Sequence, residues 1–240
     1  LFAIPISFFA GYALEYLVIR HLYKRDHMEQ VLATFGLILF FNEAIRVGFG
    51  PAALHSNLPA SLSGFVYILP EIPYPEFRLL VILVGFACAI GIHLLVSRTR
   101  LGATVRAGAS NAAMTAALGV NITRLRRLVF AIGACFAGVA GMMLGPLTSV
   151  EPGMGEPLII LSLVVIIIGG IGSVRGAFIA AIIVGMVDTM GRVMLPVILH
   201  SFMEQASADG AGPALASMMV YILMAVVLVF KPTGLFPPNR

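Results

Sequence analysis

The sequence predicts an all-α, polytopic transmembrane helix bundle that carries one short helix on its cytoplasmic side. Three observations predict it. The 240 residues are 60% hydrophobic and only 11% charged, far from the balance of soluble domains. Apolar runs recur along the chain at close to the ~20 residues that cross a hydrocarbon core of roughly 30 Å. The arginines and lysines, finally, fall almost entirely into alternate loops. Helices must do the crossing, because lipid offers the backbone no hydrogen-bond partner and the runs lack the two-residue alternation of a barrel.

In order, the apolar runs are residues 1–19, 30–49, 79–97, 127–147, 158–199 and 214–230. The fifth is too long for one crossing. It breaks at GGIGSVRG (169–176), where four glycines and Arg175 interrupt it, giving spans over 158–171 and 176–199. The result is seven membrane segments in a single domain over residues 1–240. The chain begins inside an apolar run, at Leu1, which leads us to expect a missing N-terminal portion.

Charge sets the orientation. One set of loops holds Arg20, Lys24, Arg25, Arg98, Arg100, Arg106, Arg124, Arg126, Arg127, Arg175, Lys231 and Arg240. The other holds Arg78 alone and carries Glu71, Glu76, Glu151, Glu156, Glu204 and Asp209, with the prolines of LPEIPYPE. Cytoplasmic loops collect Lys and Arg, so loops 20–29, 98–126 and 173–175 and the C-terminus face the cytoplasm. The net charge of +4 therefore marks topology and not a nucleic-acid partner; membrane lipid is the surrounding phase. Cys88 and Cys135 lie inside apolar runs with no metal-ligand spacing and read as packing residues.

The longest cytoplasmic segment contains TRLGATVRAGASNAAMTAALGV (99–120), too polar and too short to span. Gly108 and Ser110 stand where a helix can start, and Gly119 suits the left-handed residue that ends one. A helix over 110–118 would be only ~13 Å long. Ser110, Met114, Ala117 and Leu118 share one face, with Asn111 and Thr115 beside them. So short a helix is marginal alone and needs something to pack against.

This run resembles the cytoplasmic loop of the membrane subunits of ABC importers, in particular the branched-chain amino-acid permease family of the LivH and LivM type. The matching positions are Gly102, Arg106, Ala107, Asn111, Ala116 and Gly119. LATFGLILF (32–40), IIGGIGSVRGAFIAAIIVGMVD (167–188) and KPTGLF (231–236) agree in the same order along the chain. Departures are Ala180 and Ala181 where the family has a further Gly, and Asp188 where Glu is common. The resemblance implies that loop 98–126 is a coupling helix docking on a cytoplasmic ATPase. It further implies two ATPase subunits that hold ATP and Mg, a second homologous permease subunit and a periplasmic substrate-binding protein. It places the chain in the bacterial inner membrane, with no cofactor of its own. The resemblance also leads us to expect two helices before the position of Leu1 that this sequence does not include.

Few charges lie within the spans, and each costs roughly 2.5 to 3.5 kcal/mol at a helix centre. Glu43 and Arg46 stand three apart, and Asp188 and Arg192 four apart, so each acid can pair on its own helix. Two readings stand: self-neutralised pairs that fix packing, or groups beside the path that touch the ammonium and carboxylate of a passing zwitterion. Glu15 can snorkel towards Arg20. Gly133, Ala137, Gly141 and Gly145 recur every four residues and suit close helix packing, with subunit contact as a second use. Loop 50–78 reads as a solvated connector, dipping back through FVYIL, and its acids with Glu151 and Glu156 could meet a binding protein.

GGIGSVRG fails the spacing of a phosphate loop, and no G-x-x-x-x-G-K-[ST] occurs, so ATP hydrolysis falls to a partner. No nucleophile, base and acid set suggests an enzyme. The function expected is a permease subunit of an ATP-driven importer for branched-chain or other small amino acids. The alternatives are a permease for urea or short amides, or a self-sufficient secondary transporter or channel.

Overall fold

The structure is a computed structural model that describes residues 2–23, 25–54, 58, 62, 64–69, 72–200 and 205–236. Lys24, Glu71, Glu204 and Arg240 lie outside the described residues, as does the side chain of Asp209. The chain divides into two compact units, Leu1–Met154 and Gly155–Arg240.

In the first unit, α1 (Ala3–Leu14) runs through a π-helical turn, Glu15–Ile19, into α2 (Arg20–Leu22), making one span over Ala3–Leu22. Helix α3 (His27–Phe49) follows, then strands β1 (Phe65–Leu69) and β2 (Ile72–Pro75), then α4 (Glu76–Arg98). Two short helices, α5 (Arg100–Ser110) and α6 (Ala112–Ala117), precede α7 (Ile122–Leu144). The second unit holds α8 (Glu156–Gly169), α9 (Val174–Leu199) and α10 (Gln205–Phe230). Each of the seven expected membrane segments is thus a helix. Five reach the length and apolarity of a membrane span, while Glu156–Gly169 and Ala214–Phe230 are shorter apolar helices.

Loop 50–78 differs from the connector expected. Phe65–Leu69 and Ile72–Pro75 pair antiparallel, with Phe65 opposite Pro75 and Val66 opposite Tyr74. Aromatic and β-branched residues favour the pleat, and a two-stranded ribbon is all edge, where prolines without an N–H are tolerated. Farther along, Leu54 and Val150 exchange two backbone hydrogen bonds of 2.9 Å, tying this loop to the one after α7.

Small residues bring α1 and α7 together. A Cβ at Gly11 would fall on the Cβ of Ala134 and 3.3 Å from Ala131 Cα, and one at Gly138 would overlap the Ser7 side chain. Without a hydrophobic drive between helices in lipid, such backbone approach is what gives cohesion. The packing expected of Gly133, Ala137 and Gly141 is therefore corrected. Among the described residues, a Cβ at Gly133 or Gly141 would meet nothing within 4 Å, and Ala137 is exposed. Gly145 is buried, and a Cβ there would come within 3.1 Å of Val150. Two rows of small residues run along α7 about a quarter-turn apart, and α1 takes the row of Ala131, Ala134 and Gly138, which its own Ala3, Ser7 and Gly11 complement.

In the second unit, Val164, Ile168, Ala180, Val184 and Val220 form a buried core shared by all three helices. Gly191 of α9 meets Ala216 of α10, whose Cβ would be 3.0 Å from a Cβ added at Gly191, and Gly212 receives the ring of Pro196, the proline inside the last turn of α9.

Candidate functional site

The element between α4 and α7 grows from a fixed corner. Helix α4 ends with the carbonyls of Leu95 and Val96 lacking intrahelical partners. The Thr99 hydroxyl donates to Leu95 O (2.5 Å) and accepts from Gly102 N (3.1 Å), so one side chain closes α4 and opens α5. The Arg106 guanidinium reaches back and donates to Val96 O. Gly102 is buried because a Cβ there would strike those same two carbonyls. Gly108 in turn lies against Leu125 of α7, where a Cβ would come within 3.2 Å of its Cδ2, so α5 is seated on α4 and α7 alike.

The single helix expected over 110–118 is two helices. The chain turns at Asn111, whose extended backbone and side-chain oxygen, accepting from Met114 N (2.9 Å), make it the N-cap of α6. The N–H of Asn111 still donates to Ala107 O (2.9 Å), which closes α5. Thr115 is buried, with its hydroxyl on Asn111 O at 2.8 Å. Gly119, at φ +88°, ends α6 as expected; its N–H donates to Ala116 O (2.9 Å), and Val120 N to Thr115 O (3.3 Å), a Schellman turn. Asn121 then caps α7 through Arg124 N (3.0 Å).

Five of the six family-matching residues thus shape backbone. Gly102 and Arg106 fix the corner, Ala107 and Asn111 the kink, and Gly119 the exit. Ala116 is exposed. The expected docking face is open throughout: Ser110 and Ala117 are exposed, Met114 is 62% and Leu118 76% exposed.

Glu15 does not snorkel to Arg20. It is fully buried, and Arg127 Nε donates to its Oε2 at 2.8 Å. Arg127 also donates to the Tyr12 hydroxyl (3.1 Å) and lies over the rings of Tyr12 and Tyr16. The π-helical turn that begins at Glu15 re-aims the chain at this point, and among the described residues Glu15 Oε1 has no hydrogen-bond partner. Arg20 instead lies over Tyr16 (4.8 Å) and Arg126 over Tyr23 (4.9 Å). Partial burial, then the Glu15 charge, hold the Tyr23 hydroxyl above its ordinary pKa, so it stays a neutral donor.

The intramembrane pairs form on their own helices. Arg46 is 3.8 Å from Glu43, both side chains exposed; Arg192 Nε donates to Asp188 Oδ2 at 2.9 Å, with Asp188 partly buried.

GGIGSVRG and KPTGLF meet. Ser173 caps α9 by accepting from Gly176 N (3.0 Å), and Gly170 and Gly172 take φ near +98° and +91°. The carbonyls left over where α8 ends are taken up by the C-terminal segment: Leu235 N donates to Ile168 O (2.8 Å) and Phe236 N to Gly169 O (3.2 Å). Gly234, at φ +85°, sits where a Cβ would be 2.5 Å from Gly170 Cα. The sequence reading noted both motifs and missed that they form one junction.

These features define a multi-pass helical membrane protein with a two-helix element, α5 and α6, outside its spans. The sequence profile described as "Branched-chain amino acid transport system / permease component" matches residues 1–228, and the chain belongs to that family. It is similar to the high-affinity branched-chain amino acid transport system permease protein BraD of Pseudomonas aeruginosa, with 28% identity over 230 residues, 94% of this chain and 69% of that one. The probable branched-chain amino acid transport permease protein LivH of Methanocaldococcus jannaschii is 27% identical over 249 residues, covering 97% and 73%. The high-affinity permease protein LivH of Escherichia coli is 23% identical over 238 residues, covering 97% and 71%. No solved structure matches the chain.

Proposed function

We propose that this chain is the permease subunit of an ATP-driven ABC importer of the bacterial inner membrane, carrying branched-chain or other small amino acids. The printed names of its relatives support the substrate class. The observation that carries the coupling is α5–α6: an exposed face of Ser110, Met114, Ala117 and Leu118 on a support with no slack. Two cytoplasmic ATPase subunits, which hold ATP and Mg, dock there. A second homologous permease packs beside this one, with the open row Gly133, Ala137 and Gly141 as its contact. A periplasmic binding protein meets the outer loops, near Glu76 and Glu151.

Closure of the ATPases on ATP draws their docked elements together. Because Thr99, Gly102 and Arg106 fix α5 to the end of α4, and Gly108 seats it on α7, the movement passes into those spans instead of being absorbed at a joint. ATP biases the inward-facing and outward-facing states only through its different affinity for the two. Asp188 and Arg192, held 2.9 Å apart with Asp188 partly buried, are the better candidates for the path; Glu43 and Arg46 are the looser pair.

The test replaces Met114 and Leu118 with Glu in the chain assembled with its ATPases. Uptake should fall on the order of tenfold, the effect of ~1.4 kcal/mol, while the protein still inserts and basal hydrolysis persists. Substrate flux through the purified chain alone, driven by a proton or sodium gradient, would overturn the reading.

A further inference from the structure

The cytoplasmic end of the α1–α7 pair gathers more positive charge than it neutralises. Arg127 is spent on Glu15, and Arg25 on Glu29 at 3.7 Å. Arg20, Arg124 and Arg126 remain, and Asp26 is the further acid in the same stretch of sequence. Among the described residues, neither Arg20 nor Arg126 has a carboxylate or hydrogen-bond partner; each lies over a tyrosine ring, Tyr16 and Tyr23. A ring contact holds a guanidinium in place and consumes none of its five N–H donors. Two cations are thus fixed, unpaired, at the end of a membrane span.

The surface beside them is apolar and open. Tyr16 is 47% and Leu17 67% exposed, and the ring of Tyr12 is exposed above them along α1. Donors for a phosphate at the interface, continuous with an apolar strip running into the membrane, match one ligand class: an anionic glycerophospholipid of the adjacent leaflet. We propose that Arg20 and Arg126, with Tyr16 and Tyr23, form a binding site for the phosphodiester headgroup of such a lipid, whose acyl chain lies along Tyr12 and Leu17. The neutral Tyr23 hydroxyl supplies a further donor.

The full chain is purified in detergent and titrated with phosphatidylglycerol, phosphatidylcholine or inorganic phosphate, with bound lipid counted by native mass spectrometry. Phosphatidylglycerol should bind in preference to phosphatidylcholine, and Arg20→Gln with Arg126→Gln should weaken it on the order of tenfold. The same loss of charge placed elsewhere, Arg98→Gln with Arg100→Gln, should leave it unchanged. Equal binding by wild type and the Arg20/Arg126 variant overturns the site, as does equal loss in both variants. Competition by inorganic phosphate at the same concentration overturns the lipid assignment. If the double variant fails to insert, Tyr16→Leu with Tyr23→Leu, which keeps every charge, must still weaken binding severalfold.

Discussion

Arg127 Nε and Glu15 Oε2, 112 residues apart in sequence, meet at 2.8 Å with the carboxylate fully buried. A buried pair adds little net stability, yet removing one partner strands the other charge. Arg127→Leu should therefore lower the melting temperature of the purified chain more than Glu15→Leu, because it leaves a buried carboxylate whose Oε1 is already unpartnered. The double replacement should recover most of the loss. A loss in the double variant equal to the sum of the two single losses in thermal unfolding would mean that the pair is not coupled.

The two rows of small residues on α7 separate in the same assay. Gly138→Val puts its first carbon 2.6 Å from Ser7 Cβ and should destabilise by ~1–3 kcal/mol through overpacking. Gly133→Val and Gly141→Val, with open space around them, should leave the isolated chain near wild type and lower recovery of the two-permease assembly on size-exclusion chromatography.

The contrast between those rows marks where sequence reasoning stops. Composition located the apolar helices, five of which reach the length and apolarity of a span, since lipid imposes both on each helix by itself. Which face of a helix meets which neighbour is a pairwise property: Gly133 and Gly138 look alike in sequence, and only Ser7 and Gly11 across the interface tell them apart. The Glu15–Arg127 pair and the meeting of Gly234 with Gly170 were invisible for the same reason. Asn111 is different. It stands before AlaAlaMet as an N-cap, and Thr99 before α5, so local capping rules held the signal for two helices, which the glycines of TRLGATVRAGAS obscured. The hairpin at FVYIL carried a β signal too, outweighed by its prolines.

In α5 and α6, support and surface should fail differently. Arg106→Gln removes the donor to Val96 O and Gly102→Ala forces a Cβ onto the Leu95 and Val96 carbonyls. Both should lower uptake and also raise protease cleavage near Thr99, with Arg106→Lys restoring part of each. Ala116→Glu, on an exposed site, should lower uptake and ATPase copurification with no change in cleavage.

Asp188→Asn separates path from packing. The change keeps the size of the side chain and weakens its 2.9 Å contact with Arg192. If the pair borders the path, transport assayed in membranes should fall severalfold at constant protein level. A matched fall in level and transport would assign the pair to helix packing instead.

The junction between α8 and the C-terminal segment should respond to Gly234. Its φ of +85° disfavours any side chain by roughly 1–2 kcal/mol, and a Cβ would also lie 2.5 Å from Gly170 Cα. Gly234→Ala should thus pull Leu235 and Phe236 away from the carbonyls of Ile168 and Gly169, leaving the end of α8 without those two donors. Hydrogen exchange reads this directly. The amides of Leu235 and Phe236 should lose protection in the variant, while those within α9, whose first turn is held separately by Ser173, stay protected. Unchanged protection at Leu235 would mean that the segment is held by something other than this pair of hydrogen bonds.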